Sequence, residues 1–256
     1  MTASLAFAGA GVAVLLLAPA QQRLLRSRGL VAPNYRGEEI ACPTGGLMVL
    51  VAALGWWMVR PSLLPAGLLL FAGLGFLDDV RGSGERRGLL GHVRALGERR
   101  VTTGLIKAVG GLLVAGAAAA LVGGGPARVV LATLVMALSA NAINLIDLRP
   151  GRALKGFILA GVPLAGFGDG ALWPVLGAGL GLLPSDLGAR GMMGDTGANA
   201  LGFALGLALA RAGSVPVLAV VLAGLVLLHV YAERASISRF VDAHPLLARF
   251  DRWGRG

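Results

Sequence analysis

Long apolar stretches separated by short basic segments run along almost the whole chain. A helix that crosses a membrane needs roughly 20 mostly apolar residues, and fewer where helices pack tightly. The pattern predicts an all-α, polytopic integral membrane bundle of about nine transmembrane helices, of which the sixth and seventh are short enough to form a re-entrant pair instead. The predicted spans are 3–20, 45–59, 62–77, 104–123, 127–146, 153–167, 170–184, 195–211 and 214–232.

The first apolar stretch resembles a signal peptide, but its charges are in the wrong place. A signal peptide carries positive charge before its apolar core. Here no Lys or Arg precedes the stretch, whereas Arg23, Arg26 and Arg28 follow it. The stretch is therefore predicted to be a membrane span with the N-terminus outside the cell.

Charge distribution predicts the orientation of the bundle. The net charge of +10 would suit nucleic-acid binding in a soluble protein, but in a membrane protein Lys and Arg mark the cytoplasmic side. With nine spans, 20 of the 23 basic residues fall on or beside one face, and only Arg60, Arg128 and Arg211 fall on the other. The acids agree, since Asp169 alone of 13 falls outside. We therefore expect a cytoplasmic C-terminus, a lipid bilayer environment and no nucleic-acid partner.

Polar residues that interrupt the apolar pattern fall at the predicted cytoplasmic ends of spans. An acidic pair ends the third span in "FLDDVRG", two amides and an acid end the fifth in "NAINLID", and an acid opens the eighth in "GDTGANALG". A lysine near the start of the fourth span and "CPTGG" before the second lie on the same face. The residues are Thr44, Asp78, Asp79, Lys107, Asn141, Asn144, Asp147 and Asp195.

Each of these residues also has a plain structural explanation. Asp195 could cap the N-terminus of a helix, and the asparagines could join helices by hydrogen bonds. Asp147 could pair with Arg149 or Arg152. Taken together, however, these explanations require several polar features to meet at one face by chance. Ionisable groups in membrane segments are costly and by default mark function, so a functional site is the better hypothesis.

The residue types favour one reaction class. Carboxylate and amide oxygens suit Mg²⁺, which commonly bridges protein carboxylates and a substrate diphosphate. Nearby Lys and Arg would neutralise phosphate oxygens, and "GDTG" at the start of a helix offers backbone N–H groups to an anion. The sequence has no His/Cys cluster for zinc, no GxSxG motif and no Walker loop. These features predict phosphoryl transfer at the membrane surface.

"FLDDVRG", "NAINLID" and "GDTGANALG", in this order, resemble the signature motifs of the polytopic polyprenyl-phosphate N-acetylhexosamine-1-phosphate transferases. "PTGG" and Lys107 resemble further elements of that family, and the resemblance covers roughly 33–211. It implies Mg²⁺-dependent transfer of an N-acetylhexosamine-1-phosphate from a UDP-amino sugar to undecaprenyl or another polyprenyl phosphate, with release of UMP. It also implies the bacterial cytoplasmic membrane, synthesis of cell-envelope polysaccharide or peptidoglycan precursors, and a possible homodimer.

The resemblance also implies roles for single residues. Asp195 and Asn144 would bind Mg²⁺. The catalytic carboxylates would be Asp78, Asp79 and Asp147, with one of the first two activating the lipid phosphate. The positions expected to bind substrate are Thr44, Lys107, Asn141 and Arg152.

The chain departs from the family pattern in three places. Asp147 is followed by "LRPGR", where the family usually has Gly and a second Asp–Gly, and Ala198 stands at a usual Ser. The late cytoplasmic loop of the family carries a His motif that helps to select the nucleotide sugar, whereas this chain has only His244 after its last span. These departures leave the sugar open and keep a second hypothesis, an inactive relative that acts as a membrane scaffold or lipid-phosphate binder.

Two other classes fit less well. A transporter would place charged residues deep within its spans, whereas these residues lie at span ends. A CDP-alcohol phosphotransferase would carry a closely spaced Asp-Gly…Ala-Arg…Asp motif, which is missing from the sequence.

The pattern divides the chain into a transmembrane domain, 1–232, and a basic cytoplasmic tail, 233–256. Apolar residues in the tail recur at helical spacing with arginines on other faces, which predicts an amphipathic helix at the membrane interface, started or kinked by Pro245. "GAGLG" from Gly177 predicts close helix packing rather than a nucleotide loop, because no strand precedes it. "PNYRGEEI" is expected to be a plain loop.

Overall fold

The computed structural model describes residues 2–81, 102–167 and 170–255, so most of the predicted cytoplasmic segment 78–103 and Asp169 lie outside the described residues. The described residues form eleven helices and one two-stranded antiparallel sheet. The helices are α1 Ala3–Ser27, α2 Gly45–Val59, α3 Leu64–Arg81, α4 Thr103–Val122, α5 Pro126–Ile146, α6 Arg152–Phe167, α7 Trp173–Leu187, α8 Gly194–Ala212, α9 Val215–Arg234, α10 Ile237–Ala243 and α11 Pro245–Arg252, and the strands are β1 Val31–Pro33 and β2 Glu39–Ala41.

Four helices, α1, α4, α5 and α9, are long and apolar enough to cross a membrane, as expected of a helical multi-pass membrane protein. Exposure of apolar side chains is clearest on α9, where Leu218 is buried while Val220 and Leu227 are 74% and 69% exposed. So much exposed apolar surface would be unfavourable in water and suits contact with lipid. A helix occupies each of the nine predicted spans, but membrane crossing by all nine remains a prediction.

The bundle has two ends at which the termini of successive helices meet. At one end, α3 and α5 finish beside the starts of α4 and α8, and we call this the site end. At the other end, α2, α4, α6 and α8 finish beside the starts of α3, α5 and α7. This second end contains Arg60, Arg128 and Arg211, and we call it the arginine end. Both α6 and α7 run from one end to the other, and their assignment as two spans or as a re-entrant pair stays a prediction.

Helix α8 lies at the centre of the bundle and is buried along most of its length. Its glycines let α5 approach closely. A Cβ at Gly202 would lie 2.1 Å from the carbonyl oxygen of Ser139, and one at Gly206 would lie 2.6 Å from the Cα of Met136. Small residues permit such close approach between membrane helices. This packing fixes the N-terminus of α8 beside the end of α5.

Glycines also join α1 to α7. A Cβ at Gly177 would lie 2.1 Å from the carbonyl oxygen of Phe7, and one at Gly181 would lie 2.3 Å from that of Gly11. Backbone therefore packs directly against backbone at two points one turn apart. The prediction that "GAGLG" serves close helix packing is confirmed.

The segment that follows α1 is a β-hairpin, so the expectation of a plain loop is wrong. Strands β1 and β2 pair in antiparallel register, with Val31 opposite Ala41. Asn34 closes the turn, because its Oδ1 accepts the backbone N–H groups of Arg36 and Glu38 at 2.8 and 3.0 Å. An Asn side chain that binds its own turn in this way stabilises the bend without a helix or longer strands.

The tail forms two short helices, and the second begins at Pro245. Helix α10 ends before His244, whose backbone is extended (φ −109°, ψ 108°), and α11 begins at Pro245. Proline suits the first turn of a helix because it has no N–H to leave unpaired, so the prediction for Pro245 is confirmed. The apolar side chains of Leu246 and Trp253 are 83% and 69% exposed.

Candidate active site

Four helix termini bring the separated motifs together at the site end. Asp78 lies in the last turn of α3 and Lys107 near the start of α4. Asn144 lies in the last turn of α5, and Asp195 in the first turn of α8. Hydrogen bonds and ion pairs join these four residues, which we call the lysine-bridged cluster.

Lys107 holds the lysine-bridged cluster together. Its Nζ donates to Asp78 Oδ2 at 3.3 Å and makes a second hydrogen bond to Asp195 Oδ2. Asp78 also accepts, at Oδ1, the hydroxyl of Thr103 at 2.6 Å. The side chains of Lys107, Asp78 and Asp195 are 17%, 24% and 25% exposed. The ion pairs are therefore partly shielded from water, which strengthens them, and still open to a substrate.

Of the polar residues at the end of α5, one makes a hydrogen bond within the lysine-bridged cluster and two lie next to it in the chain. Asn144 Nδ2 donates to Asp195 Oδ2 at 3.2 Å. Asn141 lies about one turn earlier and is partly buried. Asp147 follows the helix as its C-cap and is also partly buried. The structure thus brings Asn144 into the cluster, with Asn141 and Asp147 beside it in the chain.

Asp147 has the electrostatic environment of a proton-holding group. Burial, together with the negative charges of Asp186, Asp195 and Asp79, raises the pKa of the Asp147 carboxyl well above its ordinary value. A carboxyl whose pKa is raised can keep its proton to higher pH and give it up in a reaction. This is the property that a catalytic acid needs.

Asp79 holds a different part of the protein from Asp78. Its Oδ1 accepts the backbone N–H of Asp195 and its Oδ2 that of Thr196, both at 2.9 Å, and the Thr196 hydroxyl donates to Oδ2 at 2.6 Å. The carboxylate therefore caps α8, because it satisfies free N–H groups and opposes the positive end of the helix dipole. Asp79 thus occupies two of the N–H groups that "GDTG" was predicted to offer to an anion, and Asp195, which could have capped this helix, does not do so.

Glycines make room for this cap. Gly194 has a φ of +72°, which side chains disfavour, and a Cβ there would lie 2.7 Å from Asp79 Oδ2. Where α3 meets α8, a Cβ at Gly75 would lie 2.3 Å from the carbonyl oxygen of Asp195. The glycines of "GDTG" and of "LGFLDD" therefore set the distance between the acidic pair and the start of α8.

Thr44, which was expected to bind substrate, is part of the supporting structure. It is fully buried, and its hydroxyl and backbone N–H both donate to the carbonyl oxygen of Met192, at 3.0 and 2.8 Å. The next residue, Gly45, packs so closely on α8 that a Cβ would lie 2.5 Å from the Cα of Gly197. A substrate has no access to Thr44 here, so the structure does not support the expected contact.

Arg152, also expected to bind substrate, holds the tail. Its Nε and one terminal nitrogen donate to the two carboxylate oxygens of Asp251 at 2.7 and 3.0 Å, and its other terminal nitrogen donates to Ser238 Oγ at 2.9 Å. Burial acts to raise the pKa of Asp251, but hydrogen bonds from Arg152 and Arg255 outweigh it and hold that pKa below its ordinary value. Substrate binding by Arg152 stays a prediction, and it would compete with the buried bidentate ion pair to Asp251.

The tail is fastened at two further points. Lys155 Nζ donates to three backbone carbonyls at the end of α11, at 2.6 to 3.0 Å, where a cation opposes the negative end of the helix dipole. Arg255 donates to the carbonyl oxygen of Pro150 at 2.9 Å and to Asp251 Oδ1 at 2.6 Å. The "LRPGR" segment, which departs from the family pattern, is therefore part of the surface on which the tail packs.

Asp186 is a site-end residue that the sequence did not reveal. It is buried, and its Oδ2 accepts the backbone N–H of Gly151 at 2.6 Å. This bond fixes the loop between Asp147 and α6. The available signal was an acid inside the apolar run "GLLPSDLG", but nothing in the local sequence identifies Gly151 as its partner.

No protein-family model matches this chain, and no curated protein matches it significantly. Its function is therefore inferred from the arrangement of its own residues and from the resemblance of its three motifs to those of the polyprenyl-phosphate transferases.

Proposed function

We propose that this protein transfers an N-acetylhexosamine-1-phosphate from a UDP-amino sugar to polyprenyl phosphate, releasing UMP, at the cytoplasmic face of a bacterial cell membrane. One observation carries the proposal. Residues from "FLDDVRG", "NAINLID" and "GDTGANALG", together with Lys107, meet in one hydrogen-bonded cluster at one end of a membrane bundle. The resemblance of these motifs supplies the reaction, and their convergence supports it.

The reaction brings two phosphate groups of like charge together. An oxygen of the polyprenyl phosphate attacks the phosphorus that bears the sugar. A new P–O bond forms there, the P–O bond to the bridging oxygen breaks, and the electron pair leaves on UMP. Fixed cations at the reacting phosphates lower the barrier by offsetting this charge. Lys107 is the cation within the lysine-bridged cluster, and it lies partly exposed.

The hydrogen bonds divide the acidic residues by role. Asp78 is paired with Lys107 and faces the cluster, so we assign to it the contact with the incoming phosphate. Asp79 uses its carboxylate on the backbone of α8, so we assign to it the positioning of Asp195. Asp147, whose carboxyl has a raised pKa, is the candidate acid at the edge of the cluster.

The donor set also fits Mg²⁺. Asp78 and Asp195 would supply carboxylate oxygens, which Lys107 contacts here. Asn144 would supply its amide oxygen once its amide group is turned, because its nitrogen faces Asp195 here. No group of three or more His, Cys, Asp or Glu side chains with metal-site spacing occurs within residues 2–81, 102–167 and 170–255, so waters and substrate oxygens would complete the shell, as Mg²⁺ commonly requires. When bound, the ion would neutralise diphosphate charge.

A coupled assay tests the proposal. Purified protein in detergent would receive undecaprenyl phosphate, Mg²⁺ and a panel of UDP-amino sugars, with UMP release as the readout. We expect release that needs all three components and falls at least about 100-fold in Asp195→Asn, the size of effect seen when a charge-stabilising group is removed. Asp242→Asn, which changes an exposed acid of the tail, is the matched control and should be as active as wild type.

One observation favours the second candidate, an inactive lipid-phosphate binder. The segment after Asp147 is engaged by the tail, so a position at which the family carries a second acid serves packing in this chain. Absence of turnover with every donor, while the protein still binds undecaprenyl phosphate, would reject the transferase and support the binder.

A further inference from the structure

A cavity of about 750 Å³ opens at the arginine end, opposite the lysine-bridged cluster. The ends of α2, α4, α6 and α8 and the starts of α3, α5 and α7 form its wall. None of the residues expected to act in phosphoryl transfer lines it. The cavity therefore needs an explanation separate from the proposed active site.

Arginines line this cavity. Arg60, Arg128 and Arg211 are the three basic residues that the sequence places on this side of the bundle, and all three border the cavity. Arg128 is fixed in the wall, because it donates to the carbonyl oxygens of Gly213 and Ala210 at 2.7 and 2.5 Å. Asp169 is the one acid that the sequence places on this side, so arginines outnumber acids here even when Asp169 is counted.

Two buried donors in the cavity wall have no partner among the described residues. The Trp56 side chain is 1% exposed, and its indole Nε1–H makes no hydrogen bond within the part of the chain that the structure describes. The buried Oγ of Ser62 is also without a partner there. Buried polar groups are nearly always paired in folded proteins, with protein, water or ligand. Since the indole can only donate, its missing partner must be an acceptor.

The rest of the wall is largely apolar. Leucine side chains from three helices and from the segments before α3 and α7 border the cavity, among them Leu63, which is 73% exposed. A fitting ligand therefore has acceptor oxygens with negative charge at one end and hydrocarbon at the other. Inorganic phosphate has the first property, whereas an anionic lipid has both.

We propose that this cavity binds the phosphate-bearing headgroup of an anionic lipid from the leaflet opposite the active site. Arg60 and Arg211 attract the phosphate, the Trp56 indole and the Ser62 hydroxyl donate to its oxygens, and the leucines contact the acyl chains. The site is independent of the proposed transferase reaction, because it lies at the other end of the bundle.

Thermal unfolding in a neutral detergent tests the proposal, because a ligand that binds only the folded state raises Tm with concentration. The probes are phosphatidylglycerol, zwitterionic phosphatidylcholine and inorganic phosphate. We expect phosphatidylglycerol to raise Tm and the other two to have little effect. In Arg60→Gln/Arg211→Gln the concentration of phosphatidylglycerol needed for a given shift should rise at least about tenfold, as expected when charge-assisted hydrogen bonds are lost.

Two further variants separate binding from folding. Trp56→Phe removes the indole N–H together with the five-membered ring, so its Tm without lipid should fall. Measured from that lower Tm, its shift with phosphatidylglycerol should be smaller than that of the natural chain. Arg190→Gln removes an exposed arginine at the site end and should respond as wild type does. Equal shifts with phosphatidylcholine, an equal shift with inorganic phosphate alone, or an unchanged response in both Trp56→Phe and the double variant would overturn the proposal.

Discussion

Asp78 and Asp79, the adjacent carboxylates of α3, have different partners: Asp78 pairs with Lys107, and Asp79 caps α8. We therefore expect substitutions at the two positions to have different effects on stability and activity. Asp79→Asn removes the charge that caps α8, so we expect the free energy of unfolding to fall by about 1–2 kcal/mol, as for other lost helix caps. Asp78→Asn leaves the cap intact, so we expect a smaller loss of stability but a fall in UMP release of about 100-fold or more. Thermal unfolding and the UMP assay measure the two effects.

The comparison of these variants has a clear negative outcome. If both substitutions lower Tm equally and leave UMP release equal, the division of roles between Asp78 and Asp79 is wrong. Asp242→Asn, at an exposed tail position, sets the baseline for loss of one acidic charge at this end of the protein.

Gly194 is the residue on which the geometry of this cap depends. Gly194→Ala places a methyl group 2.7 Å from Asp79 Oδ2 at a φ of +72°, so both the contact and the backbone oppose it. We expect a loss of more than about 1 kcal/mol in unfolding free energy, since Ala is strained where φ is positive. Gly73→Ala is the matched control, because a Cβ at Gly73 meets no atom within 4 Å. Equal Tm values for the two variants would contradict this account.

At the residue scale, the sequence predicted what each motif contributes but not how its members pair. The convergence of Asp78, Lys107, Asn144 and Asp195 follows from placing all polar span ends at one face, and the structure bears this convergence out. The Asp79 cap was missed because its partners lie more than 100 positions away in the chain. Patterns of hydrophobicity carry no information about which of two adjacent acids turns toward which helix.

At the scale of elements, the contact between α1 and α7 depends on having no side chain at Gly177. Gly177→Ala would place a Cβ 2.1 Å from the carbonyl oxygen of Phe7, which is backbone and cannot rotate away. We expect the helices to separate and stability to fall by about 1–3 kcal/mol, the usual range for overpacking. The Tm in detergent measures the loss. Gly224→Ala on α9, where a Cβ meets nothing within 4 Å, should leave Tm nearly unchanged.

The docking of the tail should depend on pH through Asp251. The pKa of Asp251 is lower in the folded protein than in the unfolded chain, where it is about 3.9. Its ion pair therefore stabilises docking fully at pH values above the unfolded pKa. This stabilisation is lost as the pH falls through the folded pKa. Hydrogen exchange of residues 237–255, corrected for intrinsic rates, should therefore show constant protection from pH 8 to about 5 and loss of protection below about 4.

The same exchange experiment tests the ion pair directly. Asp251→Asn should leave the tail unprotected at every pH, because it leaves the buried guanidinium of Arg152 without its charged partner, a change that costs about 3–5 kcal/mol in buried pairs. The control Asp242→Asn should exchange as wild type does. Full protection in Asp251→Asn would show that Lys155 and Arg255 suffice to hold the tail.

Helix positions were predictable to within a few residues because apolar runs determine them, but helix ends outside those runs were not. Helix α1 continues to Ser27, seven residues past the predicted span, since its polar last turns can remain helical in water. The division of the tail at His244 was predictable from Pro245, although the apolar spacing continues across it. Here the restriction that proline imposes on the preceding residue outweighed the periodic pattern.

At the scale of the whole molecule, the two ends of the bundle differ in their polar residues, and the charge distribution predicts which end faces the cytoplasm. The lysine-bridged cluster and the docked tail lie at the site end, and the cavity with its three arginines lies at the other. The excess of Lys and Arg predicts that the site end is cytoplasmic. A UDP-sugar donor, which the proposed reaction needs, would also be met on that side.

The single cysteine makes this orientation directly measurable. Cys42 is buried, and burial together with the charges of Asp79, Asp147 and Asp195 raises its pKa to about 12, so its thiol should not react with a maleimide. The natural chain can therefore carry one added cysteine at either end. Ser27→Cys lies at the site end and Ser214→Cys at the arginine end, and both positions are exposed.

A maleimide that cannot cross the membrane should then label intact cells that express Ser214→Cys and not those that express Ser27→Cys. After the membrane is opened, both variants should be labelled, and the natural chain should stay unlabelled throughout. Labelling of Ser27→Cys in intact cells would place the lysine-bridged cluster outside, away from nucleotide donors, and the transferase proposal would fail with it. Labelling confined to Ser214→Cys would place the cluster beside the nucleotide pool and the lipid-binding cavity in the opposite leaflet, as both proposals require.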